Sequence, residues 1–174
     1  MTDVMLPTAR LVLREFREDD LASVHEYGSD PEVVRYMPWG PNTEDDTRSF
    51  IAQAIASASQ EPRTTYELAV TLLADGRLVG GCGIHAVSFS NRSAFMGYCL
   101  RRDAWGLGYA TEASRALLKL GFRALGLHRI AATCDVGNTA SARVLEKIGM
   151  RREACLREDT LLRGQWRDSY LYAI

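Results

Sequence analysis

From Trp105 to Ala110 the chain reads Trp-Gly-Leu-Gly-Tyr-Ala, and Thr111-Glu112-Ala113 then opens a helical pattern. Two glycines at such a spot can do chemistry with no side chain at all. The first turn of a helix has N–H groups without intrahelical partners, and its dipole favours negative charge. Gly106, Gly108 and the small Ala110 leave that turn open to a phosphate. The same residues also suit a plain tight turn, and their spacing alone leaves both readings standing. A dinucleotide fingerprint fits poorly, because its third glycine position holds Thr111 and Asp135 comes too late for the acidic partner. A Walker loop fails for want of its Gly-Lys-Ser/Thr ending. No Ser-His-Asp set and no metal-ligand spacing competes.

The elements that must position this loop follow from periodicity. Residues 10–16 alternate like a half-buried strand, and 17–27 supply acidic residues before Leu21 and Val24 at helical spacing. Asp30-Pro31 predicts a short helical piece over 32–37. Thr43 with Asp46 resembles a capping box ahead of Phe50, Ile51, Ala54, Ile55 and Ala58, one helix face. Residues 66–73 and 77–85 read as strands joined at Ala74-Asp75-Gly76, and 93–100 as a third, an antiparallel meander. A helix is expected over 110–126, with Ala113, Leu117, Leu120 or Gly121, and Leu125 on one stripe. A strand over 129–136, a short helix over 138–148 ended by Gly149, and a hairpin turning at Arg163 to Gln165 complete the chain. Strand, helix, strand, helix implies a parallel crossover. The expected fold is α/β (α+β): a mixed, mostly antiparallel sheet of about seven strands, helices on both faces, one domain over 1–174.

The length, 174 residues, suffices for a core without staples. A formal net charge of -1 argues against binding nucleic acid through overall charge. Cys82, Cys99, Cys134 and Cys155 lie apart in apolar contexts and read as reduced core residues, which points to a cytoplasmic protein. The amino-terminal residues do not read as a secretory signal, and no membrane association is expected.

The run from Gly97 to Ala113, followed after one helix by Asn138 to Met150, resembles the acetyl-CoA site of the GCN5-related N-acetyltransferase superfamily. Leu6 to Phe16 and Arg151 to Ile174 are similar to the ends of the branch that contains ribosomal-protein N-terminal acetyltransferases. The resemblance implies that Trp105, Gly106, Leu107, Gly108, Tyr109 and Ala110 form the pyrophosphate loop. Trp105 stands where most members carry a polar or basic residue, a change this branch is known for. The resemblance further implies that the pantetheine arm pairs with the backbone of Cys99, Leu100 and Arg101, beside a parallel neighbour that splays away. Arg101 and Arg102 either attract the 3′-phosphate or form a solvated surface. Asn138 either caps its helix or holds the pantetheine arm, and the two are compatible. Ser141 is implied to approach the cofactor sulfur, and it is the candidate acid because Leu145 fills the position of the superfamily's usual tyrosine.

Acetyl transfer to an amine requires an unprotonated nucleophile, a polarised carbonyl and a stabilised thiolate. Phe95 occupies the branch's usual glutamate position, so Glu67 and His85 remain as candidate bases, each also readable as a surface residue. Tyr36, Met37, Pro38 and Trp39 either wall the acceptor site or plug the sheet. The expected activity is direct acetyl transfer, in a ternary complex, from acetyl-CoA to a protein N-terminus or a small amine. The losses at 95 and 145 leave a second reading, an acyl-CoA-binding regulatory module without catalysis. No metal is expected, and a homodimer is left open.

Overall fold

A computed structural model describes residues 4–174. In chain order the elements are β1 (Met5–Pro7), β2 (Leu11–Glu15), α1 (Leu21–Gly28), α2 (Glu44–Ala58), β3 (Tyr66–Leu72), β4 (Leu78–Ser88), β5 (Ser93–Leu100), α3 (Tyr109–Lys119), β6 (Arg129–Asp135), α4 (Thr139–Lys147), β7 (Arg151–Leu162) and β8 (Gln165–Ala173). They build one eight-stranded sheet in the order β1-β2-β3-β4-β5-β6-β8-β7. All pairs are antiparallel except β5 with β6. The mixed sheet, the meander and the parallel crossover are as the sequence led us to expect. The eighth strand is β1, three residues too short to show a period.

Register sorts the side chains into two layers. Leu68, Val70, Ile84, Met96 and Leu100 point into the larger core, which includes Ala113 and Leu117 of α3 and Leu145 of α4. Phe16 and Ala69 point the other way, toward Val24 of α1 and Ile51 and Ala54 of α2. Ile51 is 3% exposed, a burial worth about 2 kcal/mol. The Thr43–Asp46 capping box forms: the Thr43 N–H and hydroxyl donate to Asp46 Oδ2, and the Asp46 N–H donates to Thr43 Oγ1.

Four local expectations change. Residues 31–36 form turns and not a helix, with Val34 N–H donating to Asp30 O at 3.1 Å. The helix expected through 126 ends at Lys119, and Leu120–Ala124 widen into a π turn. There Gly121 presses on the sheet so closely that an added Cβ would lie 2.5 Å from Ile130 Cδ1. The terminal hairpin turns on two residues, Arg163 and Gly164, both at positive φ, with Leu162 already opposite Gln165. This is the turn whose twist matches the flanking strands. Of the cysteines taken as core residues, Cys82 and Cys134 are buried, Cys99 is half-buried and Cys155 is exposed on β7. Among the described residues no helix is long and apolar enough to cross a membrane.

Candidate active site

The parallel pair β5–β6 matches only at Ser93–Phe95 against Arg129–Ala131. Beyond Phe95 the strands separate, and β5 runs on to Leu100 with a free edge. Strand alternation decides which groups face the gap. The Arg101 N–H donates to Val79 O at 2.9 Å, toward β4, while Arg92 O accepts from His128 and Arg129 at the start of β6. Even-numbered residues of β5 therefore address the gap. Tyr98 and Leu100 offer their backbone there, while Cys99 and Arg101 are turned toward β4. The Leu100 carbonyl already accepts from Trp105 Nε1 at 2.8 Å, which pins the glycine loop to the strand's end.

In that loop Gly106 and Gly108 have φ of 75° and 82°, the left-handed region that favours glycine. An added Cβ at Gly106 would meet nothing within 4 Å, so the loop faces open space. Gly108 caps α3, whose first N–H groups have no helical partner. Glu112 sits in this first turn and would be a natural occupant of those amides. Its carboxylate is instead drawn away by the Thr8 hydroxyl at 2.7 Å, the Arg10 N–H at 2.7 Å and Arg10 Nε at 2.8 Å. Burial opposes ionisation of Glu112, but these hydrogen bonds outweigh it and hold the carboxyl below its usual range. The Glu112 carboxylate is thus turned away from the N-terminus of α3.

Arg10 is a residue that sequence reasoning missed. It donates from Nη1 to Leu107 O at 2.9 Å and stacks over the Tyr109 ring at 4.7 Å. Its Nη2 lies 3.4 Å from the place of a Cβ on Gly108. Its guanidinium thus stands beside the glycine loop, carried by the residue just before β2. Nothing local announces it, since 95 residues separate Arg10 from Trp105. Arg101 and Arg102, in contrast, are engaged elsewhere: Arg101 Nη2 donates to Glu26 Oε1 at 2.6 Å, and Arg102 pairs with Asp30. Arg101 is half-buried in its ion pair, whereas Arg102 is an exposed surface charge with a partner.

Asn138 Oδ1 accepts from the Ser141 N–H at 3.1 Å, the capping role. The bend before it is fixed by Asp135, which accepts from the Gly137 N–H at 2.7 Å and pairs with Arg167 through two bonds. The Arg167 guanidinium beside it holds the Asp135 carboxyl below the usual range. Ser141 Oγ lies 2.9 Å from the Tyr98 hydroxyl, a partner the sequence reading also missed. Burial pushes the Tyr98 phenol up to about 12, so it keeps its proton at neutral pH. Leu145 is 1% exposed in the core. A phenol therefore reaches this neighbourhood from β5 and not from α4.

On the opposite face, a cavity of about 690 Å³ is bounded by α1, α2, the 37–42 loop and β3–β5. Glu67 and His85 are both in it, with His85 Nδ1 3.0 Å from Glu67 Oε1. Gly81, Gly83 and Gly97 clear its floor. A Cβ at Gly83 would sit 2.8 Å from His85 Cε1, and one at Gly97 would sit 3.7 Å from His85 Nε2. Nδ1–H donating to the carboxylate leaves Nε2 as an acceptor over Gly97. Phe95 pairs with His85 across the strands and is half exposed. Met37 and Trp39 line the cavity, so their stretch forms a wall. That wall is held by Arg163, which donates to the carbonyls of Val34, Arg35 and Gly40, and by the Tyr36 hydroxyl on Gly137 O.

The family model described as "Acetyltransferase (GNAT) domain" matches residues 10–151. The uncharacterized N-acetyltransferase YnaD of Bacillus subtilis (strain 168) is 35% identical over 97% of this chain and 95% of its own. A solved acetyltransferase of the GNAT family from Bacillus anthracis is 38% identical, with a TM-score of 0.87 and 98% of both chains covered. RimL, a ribosomal α-N-protein acetyltransferase solved in complex with coenzyme A, shares the fold at a TM-score of 0.88. It is 20% identical over 98% of this chain and 97% of its own. On the match of the family model and the identity to these relatives, the chain is an acetyl-transferring enzyme that belongs to the acetyltransferase (GNAT) domain family.

Proposed function

We propose that the enzyme moves acetyl from acetyl-CoA to a primary amine by direct transfer in a ternary complex. The observation that carries this reading is that three groups of residues meet on one short piece of β5. The glycine loop adjoins its end, Ser141 and Tyr98 lie on one face, and Glu67 and His85 lie on the other. When bound, acetyl-CoA supplies an activated thioester carbonyl. The loop from Trp105 to Ala110 and the first amides of α3 hold its pyrophosphate, with Arg10 as the nearby cation. The backbone of Tyr98 and Leu100 would hold the pantetheine arm, and a free N–H of that edge would polarise the thioester carbonyl.

His85 Nε2 accepts the proton of the incoming amine, and Glu67 fixes the ring and stabilises the imidazolium. Ser141, backed by the Tyr98 phenol, donates to the departing sulfur. Asn138 sets the position of Ser141 through its cap. The cavity cysteines are not nucleophiles in this scheme. Burial pushes the Cys99 thiol up to about 12 and raises Cys82 as well, so neither is a thiolate at neutral pH.

Initial rates at varied acetyl-CoA and amine concentrations test the scheme. Direct transfer gives intersecting double-reciprocal lines, whereas parallel lines with a covalent acetyl-protein would replace it with an acyl-enzyme route.

A further inference from the structure

We infer that the acceptor is a small primary amine on an aromatic or branched apolar body, with no carboxylate beside the amine; this rests on the transferase reading above. The cavity carries two kinds of information. Its walls are apolar and aromatic: Tyr27, Phe50, Trp39 and Met37 surround the space in front of His85. Its charged groups have one sign. Glu67 and Asp46 line it, and among the described residues no lysine or arginine does.

The two carboxylates do different work. Glu67 is committed to His85 and so sits where the amine must lose its proton. Asp46, on the first turn of α2, takes both Thr43 hydrogen bonds on Oδ2, which hold its carboxyl below the usual range. It remains an anion that draws a cation toward the mouth. A free α-amino acid brings its own carboxylate within two bonds of the nitrogen. With the nitrogen at His85 Nε2, that carboxylate would be sunk beside Glu67 with no cation to meet it, an arrangement that costs heavily in a partly dry site. A long polyamine has the opposite defect. Its further ammonium groups would be drawn out of water between largely apolar walls whose two carboxylates, Glu67 and Asp46, are already engaged with His85 and Thr43.

Size points the same way. About 690 Å³ is the volume of a pocket for a small organic molecule. Arg163 and the Tyr36–Gly137 contact pin the loop that closes one side. The wall is thereby prepared to press against a body of fixed shape.

The test compares kcat/KM for phenethylamine and isopentylamine with that for phenylalanine, leucine, spermidine and a short peptide with a free N-terminus, all with acetyl-CoA. The amines should exceed the matching amino acids by on the order of 100-fold. Phe50→Ala should lower kcat/KM for phenethylamine roughly tenfold while changing that for ethylamine by less than about twofold. Gln53→Lys, which adds a cation to the cavity's α2 wall, should narrow the amine-to-amino-acid ratio. Equal or better turnover of phenylalanine, spermidine or the peptide overturns the inference and leaves the transferase reading intact. Tight calorimetric binding of acetyl-CoA with no transfer to any of these amines overturns both.

Discussion

The two faces of β5 solve unlike problems with unlike materials. On the α3 side the surface proposed for the cofactor is mostly backbone: two glycines at positive φ, the first amides of a helix, and a strand edge released by divergence from β6. On the α1–α2 side it is side chains on a floor stripped by Gly81, Gly83 and Gly97. Backbone sites tolerate exchange of most side chains provided nothing blocks the approach. Side-chain sites fail when one group is removed. A cofactor common to a family suits the first kind of site, and an acceptor that differs between enzymes suits the second.

Blocking the backbone side should have the largest effect. Gly108→Val places a branched side chain at a φ of 82° and beside Arg10. Acetyl-CoA affinity measured by calorimetry should fall by at least about 100-fold, and a thermal melt should show the protein still folded. Unchanged affinity would remove the loop from the cofactor site. On the other face, His85→Ala should leave that affinity intact and lower kcat on the order of 100-fold or more. Glu67→Gln should cost less, because the ring keeps a hydrogen-bond partner. A pair in which Glu67→Gln is as damaging as His85→Ala would make the carboxylate itself the base.

Legibility followed the same division. The loop, its helix and the capping at Asn138 could be read because each is a local pattern a few residues long. The meander and crossover were equally plain from period and order. Arg10 could not be read, because its partners, Leu107 and Glu112, lie about a hundred residues away and are brought to it only by the sheet. Tyr98 was hidden for a related reason. Its role depends on which residues of β5 face α4, and that register emerges only after β6 is in place. Glu67 and His85 were each visible as candidates, but not as a pair. Their contact is made by the β3–β4 register that sets Glu67 opposite Gly83, where a missing side chain lets the imidazole lie across. The turns at 31–36 misled because Asp30-Pro31 is a helix start signal and Val34 N–H does donate to Asp30 O, but the chain then leaves for the wall loop, where Arg163 takes the carbonyls of Val34 and Arg35.

Arg10→Ala tests whether the loop borrows its cation from β2. It should weaken acetyl-CoA binding by roughly five- to twentyfold, less than Gly108→Val, because the amides of α3 remain. The loss should shrink as salt rises, since Arg10 is half exposed. A salt-independent loss would mean that Arg10 acts only by holding Leu107 and Glu112 in place.

The smallest expected effect concerns the join between the two faces. Tyr98 is raised from 10 to about 12, mainly by burial, so folding favours its neutral form. Its contribution to stability is complete below pH 10 and is lost as the pH rises through about 12. At pH 11 the loss amounts to about 1.4 kcal/mol. Cys99 and Cys134, raised to about 12 and about 11, add losses of the same sign. Tyr98→Phe keeps the ring but cannot ionise, and it gives up the bond to Ser141, a cost of about 1 kcal/mol at neutral pH. Denaturant unfolding at pH 8 and pH 11 should therefore show the variant less stable at the lower pH and the gap closing at the higher. At pH 8 the same variant should bind acetyl-CoA normally and turn over roughly tenfold more slowly if the phenol backs Ser141 in protonating sulfur. A gap that stays constant with pH, together with unchanged kcat, would reduce Tyr98 to a packing residue and leave Ser141 to act alone.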